Sequence, residues 1–301
     1  MGITDFINSR PGEILALATA ITWASAVILF KKSGEKVHPI GLNQFKNVLA
    51  ILLLVPTMLV LSKSILPQVA TSDYLILLAS GALGIGVADT MFFHSLNLLG
   101  ASRSSIVDCL YSPFIIGLSF LWLGESLNVM QGIGALLIIS AVLAISGERD
   151  EQSISQRQLF LGVMWGALAM AVMAVGIVMA KPVLDRSELL WVTLTRLIGG
   201  VVVLCIFLSV HPQRKAILHS VIASSHRTYT FAGSFLGGYL SMIIWLAGMK
   251  YTQASIAAAL NQTNSIFIFI LAALFLKEPI TLIRFGAISL GIIGAILVGL
   301  G

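Results

Sequence analysis

The feature that most constrains this chain is the recurrence of long apolar runs. Ten stretches of roughly 20 residues follow one another: 12–31, 40–62, 74–98, 102–123, 128–146, 159–182, 188–210, 229–250, 255–276 and 281–300. Each is long enough to cross a bilayer as a helix. Lipid offers no water to satisfy backbone polar groups, so a helix, which satisfies them internally, is the expected form. Composition supports this reading: 57% of residues are apolar and 10% charged, against about 45–50% and 25% in soluble domains. Those proportions exclude a soluble enzyme, a disordered tail and a nucleic-acid-binding domain. The net charge of +5 arises from 18 cations and 13 anions with no basic run, so no nucleic-acid partner is expected and the lipid bilayer is. The fold class predicted is all-α integral membrane, with ten transmembrane helices in a multi-pass protein of the cell membrane.

Cys109 and Cys205 both fall in apolar runs and are expected as reduced, buried thiols. Neither has metal-ligand spacing, and no cofactor or metal is expected. The first apolar run ends at Lys31-Lys32 without a small-residue cleavage site, so it reads as a retained span. Two longer polar links, 147–158 and 211–227, read as loops, the first of them joining two halves. The sides of the membrane differ in charge. Ten Lys and Arg lie on the side opposite the termini and five on the side that holds them, which favours termini outside.

The halves are alike. Residues 101–127 align without gaps to 254–280, with nine of the 27 positions identical, Phe114/Phe267 and Glu125/Glu278 among them. Lys31/Lys181 and Lys46/Arg196 correspond at an offset of 150. The expected units are 1–150 and 151–301, five spans each. Five is odd, so the second copy enters the membrane in the opposite direction, giving a 5+5 inverted repeat of the kind found in secondary transporters.

The order of motifs resembles the EamA-type transporters of the drug/metabolite transporter superfamily. Each half is similar in turn: Trp23 in a helix ending at Lys31, a cation in the second helix, a Gly-rich third helix, Ala-Ser opening the fourth, a mid-helix Pro, Leu-Gly-Glu at its end, and QGIGALLIISAVLAISG as the fifth. ASIAAAL, LKEPI and FGAISLGIIGAILVGLG repeat the later parts. The resemblance implies a transporter, expected as an exporter of small metabolites or drugs. Helices 1–4 and 6–9 would surround a central cavity between the repeats, worked by alternating access. Three positions depart from the family pattern. Lys46 stands where Arg is usual, Ser112 precedes Pro113 where Glu is frequent, and Ile266 replaces the second proline.

Polar side chains inside apolar runs mark candidate chemistry, because burying charge in lipid is costly. Asp89 shares a helical stripe with Ala82, Gly86, Phe93 and Asn97. Asp108 lies with Ser104, Tyr111, Ser112 and Ser119 beside Pro113, a candidate helix break. Asn261, Gln262, Asn264 and Ser265 form the matching stripe in the second half, Asn261 aligning with Asp108. This pattern suits a polar or amino-acid-like solute and a coupling proton. The intramembrane cations Lys46 and Arg196 read as snorkelling or paired with a carboxylate, or as holding an anionic group. Trp23, Phe92, Trp165, Tyr239 and Trp245 are candidate walls, His94 reads as a packing histidine or a proton relay, and Glu125 and Glu278 read as structural, capping the next helix or pairing with a cation. The ladder Gly291/Ala295/Gly299 is a candidate homo-oligomer face. A passive channel or uniporter is the alternative. An intramembrane enzyme is not expected: Gly84–Asp89 reads GIGVAD, with the wrong spacing for a Gly-x-Gly-Asp protease motif.

Overall fold

A computed structural model describes residues 11–61, 67, 69–124, 128–146 and 154–300. The described residues are helical, with no strand among them. The helices are α1 (Pro11–Gly34), α2 (Pro39–Leu61), α3 (Thr71–Leu99), α4 (Ala101–Leu123), α5 (Val129–Ser146), α6 (Gln156–Arg186), α7 (Leu189–Val210), α8 (Arg214–Ile222), α9 (Arg227–Tyr251), α10 (254–276) and α11 (Leu282–Leu300). Seven are long and apolar enough to cross a membrane, and three shorter apolar stretches lie in α5, α10 and α11.

Large apolar side chains cover the outside, and the interior holds polar and charged groups among its apolar ones. Leu52, Leu59, Val60, Leu121, Leu136 and Ile206 are exposed, while Asn43, Lys46, Asn47, Asp89, Asp108 and Arg196 are buried. A membrane fold has this arrangement because lipid solvates the outer apolar face and leaves polar groups to one another. Cys109 is buried, but Cys205 is exposed. The expectation of a buried Cys205 fails because α7 turns that face outward.

Irregularities recur in both halves. π-helical turns occupy Ala82–Ala88 in α3 and Ser234–Leu240 in α9, then Ser119–Leu123 in α4 and Ala272–Leu276 in α10. Left-handed residues follow the second pair, at Gly124 and Lys277. Packing is exchanged in the same way. The second part of α3 lies on α6 as that of α9 lies on α1, and α4 meets α6 as α10 meets α1. The helices α5 and α11 pack against each other at the periphery, where a Cβ on Gly134 would fall 2.5 Å from the Gly294 carbonyl oxygen. Gly291 and Ala295 also face inward, against Cys109 and into the core. Those two positions of the expected oligomer ladder therefore serve contacts within the chain.

Two boundaries differ from expectation. Within the predicted loop 211–227, residues Arg214–Ile222 form α8, with Ile217 its buried residue. The helix is amphipathic but short, so hydropathy alone does not reveal it. The start of α6 is set by a capping box. The Ser155 hydroxyl accepts from the Gln158 backbone at 3.2 Å, and the Gln158 side chain accepts from Ser155 N at 3.1 Å. Glu125 and most of the 147–158 link lie outside the described residues.

Candidate functional site

α4 and α10 are each interrupted midway. In α4 the Cys109 and Leu110 N–H groups donate to carbonyls three residues back, Ile106 and Val107. In α10, Thr263 and Ser265 make the same short-range bonds. Pro113 stands beyond the first break, as the third residue of Tyr111–Leu118. The second break forms with Ile266 in place of proline, so proline is not required for it. Groups freed at one break are satisfied at the other. Gln262 Nε2 donates to the Asp108 carbonyl at 3.1 Å, and the Ser265 hydroxyl donates to the Ser105 carbonyl at 2.8 Å. The two interrupted helices therefore meet back to back, one from each half.

Beside them lies a cavity of about 90 Å³. α1 contributes Thr19 and Trp23, α3 contributes Gly84, Ile85, Asp89 and Phe92, and α4 contributes Asp108 and Tyr111. Met170 and Met173 come from α6, Arg196 from α7, Gly237, Ser241, Met242 and Trp245 from α9, and Asn261, Gln262 and Asn264 from α10. The wall draws on both halves, and α5 and α11 contribute none of it.

The four deep charges have different surroundings. Lys46, 1% exposed, forms an ion pair with Asp89 and lies 5.3 Å from the centre of the Phe93 ring. It does not snorkel. Asn43 beside it donates to the carbonyls of Ile85 at 2.8 Å and Gly86 at 3.1 Å. Those carbonyls belong to the π turn of α3, whose altered register makes side-chain partners for them valuable in lipid. Arg196 is also 1% exposed. Its Nε donates to the Ser80 hydroxyl at 2.9 Å and its guanidinium lies 5.6 Å from the Trp245 ring centre, yet Nη1 has no hydrogen-bond partner. Asp108 Oδ1, Tyr111 OH, Asn261 Oδ1 and Gln262 Oε1 are likewise buried without one. The cavity thus holds a guanidinium and a carboxylate that each retain capacity for a solute.

Of the residues singled out in the sequence, Asp89, Asp108, Tyr111, Asn261, Gln262, Asn264, Trp23, Trp245, Arg196 and Phe92 line this one cavity. Three do not. Tyr239 turns to α2, where its hydroxyl is 2.6 Å from that of Thr57. Ser265 braces the breaks, and Ser112 is buried outside the lining. Trp165 packs edge-on against His94. Thr19, Met170, Met173 and Met242 were missed. Thr19 stands one turn before Trp23, a spacing that carried the signal, whereas nothing marks the methionines among so many apolar residues. Gly237 and Ser241 face the cavity as well. Glu278 caps α4, accepting from Ala101 N at 2.7 Å and Ser102 N at 2.9 Å.

A helical membrane fold whose polar groups converge on a central cavity is the architecture of a polytopic transporter. Residues 10–147 and again 160–300 match the EamA-like transporter family. The chain belongs to that family, within the drug/metabolite transporter superfamily, and is a multi-pass membrane transporter of small molecules. It is 26% identical over 270 residues to an uncharacterized transporter of Archaeoglobus fulgidus, covering 89% of this chain and 90% of that one. It is 24% identical over 218 residues to an uncharacterized transporter of Methanothermobacter thermautotrophicus, covering 72% and 62% respectively. A solved crystal structure shares the fold, with a TM-score of 0.73 at 18% identity and 97% of each chain covered.

Proposed function

We propose that this protein is a secondary active exporter of small zwitterionic metabolites or drugs, amino-acid-like in charge. It works by alternating access between two units, 1–150 and 151–301. One observation carries the reading: Arg196 Nη1 and Asp108 Oδ1 are both buried, both without a partner, and on residues that line the same cavity. Unsatisfied buried polar atoms are costly. A solute that brings an anionic group to Arg196 and a cationic group to Asp108, Asn261 and Gln262 removes that cost at both. The space of about 90 Å³ is below the roughly 300–1,000 Å³ of drug-sized sites, so this conformation suits a small solute.

The two acids have separate roles. Asp89 is held by Lys46 and serves the structure. Asp108 carries the coupling proton, releasing it when a substrate ammonium arrives and taking one up after the substrate leaves. The protein acts as a carrier, not an enzyme. The cavity is complete within one chain, so a homo-oligomer is not needed to form it.

Counterflow in liposomes tests this. Zwitterionic solutes are expected to compete saturably, and the same solutes with a blocked carboxyl or a blocked amine are expected not to. Asp108→Asn is expected to abolish uphill flux driven by a pH gradient while sparing downhill exchange. Unchanged uphill flux in Asp108→Asn would overturn the proton assignment. Flux that never saturates would favour a passive channel.

A further inference from the structure

A second cavity lies away from the transport site, between the α1–α2 connection and α8. We propose that it seats the phosphate of an anionic lipid headgroup. It measures about 350 Å³ and is lined by Gly34, Lys36, Val37, His38, Pro39, Asn97, Gln213, Ala216, Ile217 and Ser220. Its polar lining is built mainly to donate hydrogen bonds, and it contains no carboxylate. Lys36 is exposed, and the adjacent acid, Glu35, is engaged by Lys32 at 3.1 Å. His38 Nδ1 accepts from Ile40 N at 3.3 Å, which leaves its proton on Nε2 as a donor. Gln213 and Asn97 add amide donors. α8 begins at this cavity with no side-chain cap on its first turn.

The surroundings identify the occupant as lipid. The connection and α8 both lie between membrane helices, so they sit at headgroup level. Arg214 and Lys215 open α8 and are exposed, as are the apolar Leu218 and Ile222. A helix with cations and apolar side chains at that depth suits an anionic leaflet. No Asp or Glu occurs from Leu189 to Lys277 to neutralise them in sequence. α8 also bears on the transport machinery. Its Ile217 and Val221 pack on Gly41 of α2, the Ser220 hydroxyl accepts from His38 N at 3.2 Å, and α2 carries Lys46. A headgroup bound here would hold the start of the helix whose lysine pairs with Asp89. The inference rests on this cavity, its cations and their bilayer setting, and is independent of which solute is carried.

The test is hydrogen exchange of the full-length protein in nanodiscs of phosphatidylcholine with and without phosphatidylglycerol, with native mass spectrometry of retained lipid. Phosphatidylglycerol is expected to slow exchange in residues 34–42 and 213–222 and to stay bound to the protein. Each cation removed, by Lys36→Gln or by Arg214→Gln with Lys215→Gln, is expected to weaken that retention about fivefold. Equal protection in both lipids, or retention unchanged in Lys36→Gln, overturns the proposal. Protection by inorganic phosphate in pure phosphatidylcholine, equal to that given by phosphatidylglycerol, overturns the lipid assignment in favour of a soluble phosphate.

Discussion

Lys46 and Asp89 are buried against each other in a medium that solvates neither, so removing one strands the other. Breaking such a pair costs about 3–5 kcal/mol, whereas replacing both partners by apolar residues is often neutral. Asp89→Asn and Lys46→Met are therefore each expected to lower the thermal unfolding temperature of the purified protein sharply. Lys46→Met with Asp89→Leu is expected to recover most of the loss. A double variant no more stable than the singles would show that the pair does not hold the helices together. Asp108→Asn is expected to leave the melt nearly unchanged, since no cation among the described residues pairs with that carboxylate. In sequence the two acids look equivalent, each deep in an apolar run with polar neighbours at helical spacing. What separates them is a lysine 43 residues away, and one-dimensional periodicity does not encode which helix faces register against each other. The same gap explains Tyr239, whose aromatic ring in an apolar run is compatible with several directions.

The long helices were legible from apolar runs; the short α8 and the irregular turns were not. A π turn adds one residue per cycle without changing composition, so Ala82–Ala88 reads as ordinary Gly-rich helix. Its neighbourhood is shaped by close backbone contact with α7. A Cβ on Gly81 would stand 1.8 Å from the Arg196 carbonyl oxygen, and one on Gly199 would stand 2.1 Å from that of Leu78. Backbone cannot step aside as a side chain can. Gly81→Ala and Gly199→Ala are expected to push α3 and α7 apart, costing upwards of about 1–3 kcal/mol and much of the folded yield in detergent. Gly117→Ala, with nothing within 4 Å of its added carbon, is expected to behave as wild type. The α2–α8 contact is expected to depend on pH. Burial first, then the charges of His211 and His94, hold the His38 imidazole below its usual value of 6.5. The released state takes the proton more readily, so the contact is at full strength above about pH 6.5 and weakens as pH falls through that value. Exchange rates in residues 38–42 and 214–222, corrected for the intrinsic effect of pH, are expected to rise on acidification. His38→Gln is expected to remove the dependence.

At the scale of the whole molecule, the alignment of 101–127 with 254–280 already contained the repeat, because both copies keep small and polar residues in the same order. It did not contain the meeting of the two breaks. That contact forms across halves, through Gln262 on Asp108 and Ser265 on Ser105, between segments more than 150 residues apart. The meeting point also offers a way to separate a carrier from a static pore. Cys109 Sγ lies 3.5 Å from the Ser265 hydroxyl oxygen, so Ser265→Cys places two thiols opposite each other, one in each half. Cys205→Ala in the same protein removes the exposed thiol. If the halves rearrange at the breaks during each cycle, oxidation fixes one arrangement, and flux in liposomes falls to background. Reduction then restores it, which excludes simple damage by the substitutions. If the breaks only shape a fixed passage, the oxidised and reduced proteins conduct alike, with the crosslink verified by mass. The α5–α11 contact at Gly134 and Gly294 lies outside the cavity wall, and a disulfide engineered across it is expected to leave flux intact.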